Sequence, residues 1–374
     1  MHPKRLEPFE KPLLTDLLAG ASQMGLRALA LSEEAGGAGA DHLTACLLME
    51  ELAQGDPDIA VVLAHTAVLA RLIFDELMTP AQRARFLPAF MEDHAFHLAF
   101  ASRNAEAGLA PIYHSPNNEY AAPQVTATKH SSGDWLINGE MPAVANASIA
   151  KLFAVAVNST ALLVPRDTTG VSVRAAKPAR GAAVIRWGHG AFGTVVFKDC
   201  RVPAGDVLNG DAQAAARNYA MRTAPLLAAA NIGIGQVAFD AAIDYSKLRR
   251  QGGKKIIEHQ AIGTLLADIA IKLEVVRNMV WKAAWALDHP DAVADRSVSG
   301  LPLHHMARSF AGEMMVEVTE RAAECFGAMG VMRDMPLQQY VDDALMFKHS
   351  VIGANATKLL IAEAVAGYDR SAKN

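Results

Sequence analysis

From about Pro12 to Glu92, apolar residues recur three and four positions apart, as in DHLTACLLMEELAQ and VVLAHTAVLARLIFDELM. That spacing lines one face of a helix, so the stretch predicts helices. Gly36, Gly37 and Gly39 break the first of them, and Asp56-Pro57 breaks the next. Met78-Thr79-Pro80 reads as a helix start, because proline is tolerated in a first turn, where no N–H is needed.

From about Phe96 to Pro203 the rhythm shortens. YAAPQVTATKH, DWLINGE, KLFAVAV, TALLVPR, GVSVRAA and GTVVFKD are short β-prone runs separated by Gly, Asn, Asp and Pro. They predict strands joined by tight turns, with SSGDW as a hairpin turn, and hence a small barrel or sandwich. From about Ala212 onward the helical period returns. Ile262, Leu265, Leu266, Ile269, Leu273, Val276 and Val280 form one continuous stripe. PDAVADRSVSGLP predicts a loop, HHMARSFAGEMMVEVTERAAECFGAMG a further helix, and a last helix runs from about Val341 into KLLIAEAVAG. The fold class expected is α+β: an N-terminal α-helical domain over 1–95, a middle β-barrel or sandwich domain over 96–211, and a C-terminal four-helix bundle over 212–374.

Composition adds exclusions. With 374 residues, half of them apolar, the chain can bury a sizeable core in two or three packed units. The net charge of -4, with acids and bases interspersed, gives no electrostatic reason to expect nucleic acid or an anionic membrane as partner. Cys46, Cys200 and Cys325 lie far apart, show no metal-ligand spacing, and read as buried thiols in a reducing compartment. The N-terminus lacks the apolar core of a signal peptide. No unbroken apolar run reaches the ~18 residues of a membrane span, and the location expected is cytoplasmic.

Five segments carry a family likeness. LSEEAGGAGA (Leu31–Ala40) is followed by MEELAQGDPDIA, and VVFKDCRVPAGDVL (Val195–Leu208) closes the β zone. RRQGGKKIIEHQAIGTLLADIAIKLEVVR begins at Arg249, and ECFGAMGVMRDMPLQQYVDDAL begins at Glu324. In this order and spacing the chain resembles the acyl-CoA dehydrogenase family over nearly its whole length. The last two segments are similar, without gaps, to that family's Arg-x-x-Phe-Gly-Lys…His-Gln…Leu-Ala-Asp and Gln-x-x-Gly-Gly-x-Gly…Pro…Arg-Asp-Ala signatures.

The resemblance implies a flavoprotein that binds FAD between the β domain and the C-terminal helices. Its subunits pair, and it removes hydrogens from the α and β carbons of an acyl-CoA thioester. A carboxylate takes the weakly acidic α-proton while the thioester carbonyl is hydrogen-bonded. Arg249 then falls on the arginine that reaches the FAD diphosphate of a neighbouring subunit, for which a guanidinium fork is suited. Gln260 falls near that cofactor. Gly327 and Gly330 fall where backbone approaches it, although a helix end and its turn explain glycines equally well. No metal is expected.

Other positions depart from the family. Gly252 stands for its Phe, Glu324 for its Gln, Ala328 for a Gly and Asp342 for an Arg. FASRNAEAGLAP replaces the Thr-Glu-Pro segment that holds flavin and substrate, with only Ser102 and Gly108 similar. Ala143, Val144 and Ala145 stand where a Trp and a hydroxyl meet the flavin. The catalytic base position falls on Val351, and the alternative position used by some members falls on Arg250. Neither side chain accepts a proton at neutral pH. His349 is the titratable residue nearby, although a histidine on such a helix is more often a structural hydrogen-bonder.

These departures suggest a base-lacking subunit that acts with a related chain in a homo- or hetero-oligomer, with electron-transfer flavoprotein as acceptor. A flavin-dependent monooxygenase on the same fold and a non-catalytic, acyl-CoA-binding scaffold are the alternatives.

Overall fold

The computed structural model describes residues 13–102, 125–175, 189–294, 302–332, 334–349 and 354–367. They fall into two compact units. One is built from the chain up to Asp41 and from Val62 to Thr223. The other is built from His42–Val61 and from Ala224 onward.

The first unit holds α1 (Thr15–Gln23), the larger part of α3 (Pro57–Ala70), α4 (Pro80–Glu92) and the β domain. The start of α4 is local chemistry. Thr79 accepts from the Gln82 N–H while Gln82 returns a bond to the Thr79 N–H, and Pro80 follows. Likewise Asp56 accepts from the N–H groups of Asp58 and Ile59, capping α3 at the break the sequence marks. Between α3 and α4 the helix loosens into a π turn over Arg71–Leu77.

Seven strands form the β domain: β1 (His97–Ala101), β2 (Val125–Lys129), β3 (Trp135–Val144), β4 (Ala150–Val157), β5 (Thr160–Pro165), β6 (Val171–Ala175) and β7 (Gly193–Val202). They make two sheets, ordered β1-β4-β5 and β2-β3-β7-β6. The first sheet is covered on both faces. Leu98, Phe100, Leu152 and Leu163 pack with Phe74, Phe86 and Phe90 on one side. Ala99, Phe153, Val155 and Val164 pack with Ile137, Val195 and Phe197 of the second sheet on the other. The six runs predicted as strands form strands where they are described. SSGDW turns between β2 and β3, with the Gly133 N–H bonded to the His130 carbonyl. Strand β1 was not anticipated. All five of its residues are buried, so it lacks the alternation that marks a half-exposed strand.

The second unit holds α2 (His42–Gly55), the larger part of α5 (Ala212–Leu248), the short hairpin β8 (Arg250–Gln251) and β9 (Lys254–Lys255), and α6 (Gln260–Asp288). It also holds α7 (Pro290–Ala294), α8 (Leu303–Cys325), α9 (Leu337–His349) and α10 (Ala354–Ala366). Of the predicted α6 stripe, Leu266, Ile269, Leu273, Val276 and Val280 are buried, and Ala283 and Ala284 extend it. Ile262 and Leu265, in the first turns of α6, are half-buried instead. The segment expected as a loop begins with α7, where Pro290 opens a short helical turn. The last helical zone starts earlier than expected, at Leu337, and its described residues form two helices.

The architecture is an N-terminal helical domain, a middle β domain and a C-terminal helical domain. Helices Pro57–Leu77 and Ala212–Leu248 are long and apolar enough to cross a membrane by length and composition, which an unbroken-run criterion passes over. Of their most apolar windows, 94% and 67% are buried inside the protein, as in core helices. All three cysteines are buried, and burial pushes the Cys200 and Cys325 thiols up to about 11.

Candidate functional site

The sequence-predicted residues of the second unit gather at helix ends. Tyr245, near the end of α5, stacks on Phe326, which caps α8, with ring centroids 4.2 Å apart and planes 16° from parallel. Arg249 follows one turn after Tyr245, and Gly327 follows Phe326, so the stack ties their chain segments together. The Arg249 N–H bonds the Tyr245 carbonyl at 2.8 Å and its carbonyl accepts from Ile256 at 2.9 Å, which folds the β8–β9 hairpin back on the helix end. The Arg249 side chain is exposed and makes no hydrogen bond or ion pair among the described residues. That arrangement fits a guanidinium kept available for a phosphate. Gln260 is exposed as the first residue of α6.

The two glycines separate. Gly327 has φ +57 and open space around a notional Cβ, so it serves as the left-handed residue that ends α8. Gly330 is buried, and a Cβ there would lie 2.3 Å from the Ala323 carbonyl oxygen. Close packing against its own helix end therefore explains Gly330. Replacing Gly330 with Ala is expected to cost roughly 1–3 kcal/mol, the range for overpacking, read as a lower denaturant midpoint with unchanged slope.

The departures acquire reasons. Gly252 and Gly253 occupy the two turn positions of the hairpin with φ +59 and +83, which a phenylalanine adopts poorly. The exposed Glu324 carboxylate pairs with Arg321 at 3.0 Å, so its charge is offset locally. Asp342 accepts from Gln338 at 3.1 Å, and Asp343 is buried. Arg250 is exposed and donates to the Gly253 carbonyl at 3.3 Å. His349 is exposed at the last residue of α9. Val351 lies outside the described residues, together with Ser350, Ile352, Gly353 and Gly108.

In the first unit, Ala143 is exposed with φ +54, Val144 is buried, and Ala145 is half-buried. These three offer a flavin ring no aromatic face and no hydroxyl. The exposed Ser148 hydroxyl donates to the Ala191 carbonyl at 3.2 Å. The exposed Arg249 and Gln260 of the second unit have a chemistry that suits a diphosphate, whereas Ala143-Val144-Ala145 offers no polar side chain.

Sequence reading missed a buried polar cluster beside that segment. Asn146, with φ +60, donates to the Val62 carbonyl at 3.0 Å and to Thr66 Oγ1 at 3.1 Å. Thr66 Oγ1 also meets His97 Nδ1 at 3.0 Å. Burial pushes His97 down to about 4, with nearby Arg27 as the next contribution, so it is neutral at physiological pH. Next to Thr66, His65 Nδ1 shares a 2.6 Å hydrogen bond with the Tyr219 hydroxyl. A lone His inside an apolar helical run was the available signal, and its partner stands far away in sequence. A cleft of about 500 Å³ in the same unit, lined by Glu33, Glu34, Arg71, Asp75, Glu76 and Arg83, contains none of the predicted site residues.

The chain is similar to known proteins along most of its length. The profile described as acyl-CoA dehydrogenase, C-terminal domain, matches residues 213–366, and the one described as acyl-CoA dehydrogenase, N-terminal domain, matches residues 4–94. The mitochondrial isobutyryl-CoA dehydrogenase of Dictyostelium discoideum is 26% identical over 96% of this chain and 84% of its own length. The butyryl-CoA dehydrogenase of Megasphaera elsdenii shares the fold with a TM-score of 0.79 at 23% identity, over 97% of this chain and 91% of the other. A chain from a structure described as the electron transferring flavoprotein of Acidaminococcus fermentans, bearing on flavin-based electron bifurcation, also has a TM-score of 0.79. It is 23% identical, over 94% and 89% of the two chains. The two profiles together span most of this sequence, and this chain belongs to the acyl-CoA dehydrogenase family of flavoproteins.

Proposed function

We propose that this chain is a base-lacking subunit that takes part in α,β-dehydrogenation of an acyl-CoA thioester beside a related, base-bearing chain. One observation carries the reading: neither position where the family keeps its carboxylate holds one. Val351 stands at the first, and Arg250, exposed in the β8–β9 hairpin, stands at the second. Burial and neighbours can retune a carboxyl or an imidazole, but a hydrocarbon has no proton site to retune.

The distribution of FAD-facing residues supports the same reading. Arg249 and Gln260, which the resemblance directs toward a neighbour's cofactor, are exposed at helix ends. The segment that would meet the chain's own flavin is Ala143-Val144-Ala145. When bound, FAD supplies the acceptor for the β-hydride. Arg249 would hold its diphosphate by charge-assisted hydrogen bonds, with Gln260 as a further polar side chain for the cofactor. Electrons then pass to an electron-transfer flavoprotein, a partner in keeping with the Acidaminococcus fermentans neighbour. The domain boundaries at 95/96 and 211/212 and a cytoplasmic location belong to the same proposal.

Co-purification with a related chain from the native host tests it. The expected result is a yellow hetero-oligomer that dehydrogenates acyl-CoA, and a purified single chain that does not. Robust turnover by the single chain overturns the reading. Oxygen-dependent hydroxylation indicates the monooxygenase alternative, and a colourless assembly that binds thioester indicates the scaffold. Arg249→Ala is expected to weaken FAD retention in the assembly about tenfold, the loss of one charge-assisted bond, measured as flavin absorbance per chain after dialysis. Unchanged flavin content removes Arg249 from the cofactor site.

A further inference from the structure

The His65–Tyr219 pair has no role in the chemistry above. His65 is 3% exposed on α3, and Tyr219 is half-buried in the first turns of α5. An aromatic ring lies against each member of the pair. Phe192 meets His65 edge-on at 6.3 Å between centroids, and Phe100 lies against Tyr219 at 5.6 Å. Phe100 leads directly into Ala101-Ser102, the start of one stretch that the resemblance assigns to flavin and substrate. Asn146, which follows the Ala143-Val144-Ala145 stretch that the resemblance assigns to the flavin, donates to Thr66, the neighbour of His65. Within one unit the pair therefore neighbours a stretch that the resemblance assigns to flavin and substrate and a second that it assigns to the flavin.

Its cost argues against a purely structural part. Two well-packed apolar side chains of similar volume at such a place are often as stabilising as a buried polar pair, or more so. Burial pushes the Tyr219 hydroxyl well up and keeps it neutral. A phenol oxygen offers one donor and two acceptor sites. Among the described residues it uses one of them, on His65. If Tyr219 donates to His65 Nδ1, its oxygen still accepts; if His65 donates, the Tyr219 proton still serves a ligand. A ligand hydroxyl satisfies either arrangement because it both donates and accepts. Rings on two sides with one polar tip suit a largely apolar ligand bearing a single polar group.

Building on the thioester reading above, we propose that His65–Tyr219 is a specificity element that recognises a hydroxyl group on the acyl portion of the substrate. An unsubstituted hydrocarbon chain leaves the Tyr219 oxygen buried without its second partner and binds more weakly.

Calorimetric titration tests this with acyl-CoAs carrying one hydroxyl at successive chain positions, each against its unsubstituted parent. The protein is used both as the single chain and in its native assembly. The expected result is a preference of about tenfold or more for one hydroxylated position. Tyr219→Phe should reduce that preference to near unity, chiefly by weakening binding of the hydroxylated member. His65→Gln, a second variant should the first fail to fold, should reduce it as well. Equal binding of both members of every pair overturns the proposal and leaves the thioester reading standing. A preference that survives Tyr219→Phe, or His65→Gln where Tyr219→Phe does not fold, also overturns it. Failure of every thioester to bind, in either form of the protein, removes the thioester reading and this proposal together.

Discussion

Val351→Glu is expected to raise the exchange of a bound thioester's α-proton with solvent deuterium by at least about 10²-fold, the lower end of a general base's contribution. Exchange isolates the proton-transfer step, because it needs a base and a polarised carbonyl but no electron acceptor. The wild-type residue is a branched hydrocarbon, so the existing rate should approach that of the thioester bound beside water. Glutamate at this position restores the group that the family signature carries after Asp343-Ala344. Val351→Gln, with nearly the same shape and no basic oxygen at neutral pH, should give no gain. Deuterium incorporation followed by mass spectrometry separates these cases. If Val351→Glu still binds thioester but exchanges no faster, the carboxylate belongs elsewhere. Fast exchange in the unaltered chain, abolished by His349→Ala, would transfer the role to that histidine.

Arg277→Leu is expected to cost about 3–5 kcal/mol of stability near neutral pH, the range for stranding a buried charge. Glu50 on α2 is 6% exposed. Arg277 on α6 grips it through Nε at 2.9 Å and Nη2 at 2.8 Å, and that Nη2 also donates to Gln236 at 3.0 Å. The other Glu50 oxygen is buried without a hydrogen-bond partner among the described residues. Burial is the largest influence on this carboxyl and lifts it above its ordinary 4.5, with the Arg277 hydrogen bond and charge opposing the lift.

The sign follows from proton binding. A carboxyl raised in the fold holds its proton longer than in the unfolded chain. Its stabilising contribution is therefore complete below 4.5 and is lost as pH climbs through the folded value. Without Arg277 no basic group opposes the lift, so the variant's deficit should be greatest near neutral pH, where the carboxyl would otherwise be ionised, and should shrink toward pH ~4.5. Glu50→Gln combined with Arg277→Leu should recover most of the loss, because no charge remains to be stranded. Denaturant melts of the single and double variants across pH decide it. A pH-independent deficit would mean that Arg277 acts by packing alone.

Much of the fold was legible wherever the governing chemistry was local. The Asp56 cap, the Thr79–Gln82 box and the Gly-rich hairpin turn each involve residues within a few positions of one another. The six predicted strands alternate or carry turn residues at their ends. Strand β1 escaped because burial on both faces erases alternation, and HLAFA then resembles any short apolar run. Helix α7 escaped because five residues carry too little periodicity to distinguish a helix from a loop.

The site divides in the same way. The order and spacing of short motifs identified the family, and the residue types at Val351 and Arg250, on which the proposal rests, are read directly because they concern which atoms are present. The tertiary structure alone distinguished Gly327, a helix terminator in open space, from Gly330, pressed against the Ala323 carbonyl. It alone joined His65 to Tyr219 across 154 positions and Glu50 to Arg277 across 227. Sequence determines chemical identity and the conformations neighbours impose on each other. Which distant groups are dehydrated together is settled only when the chain packs, because desolvation depends on everything that surrounds a group and not on what precedes or follows it.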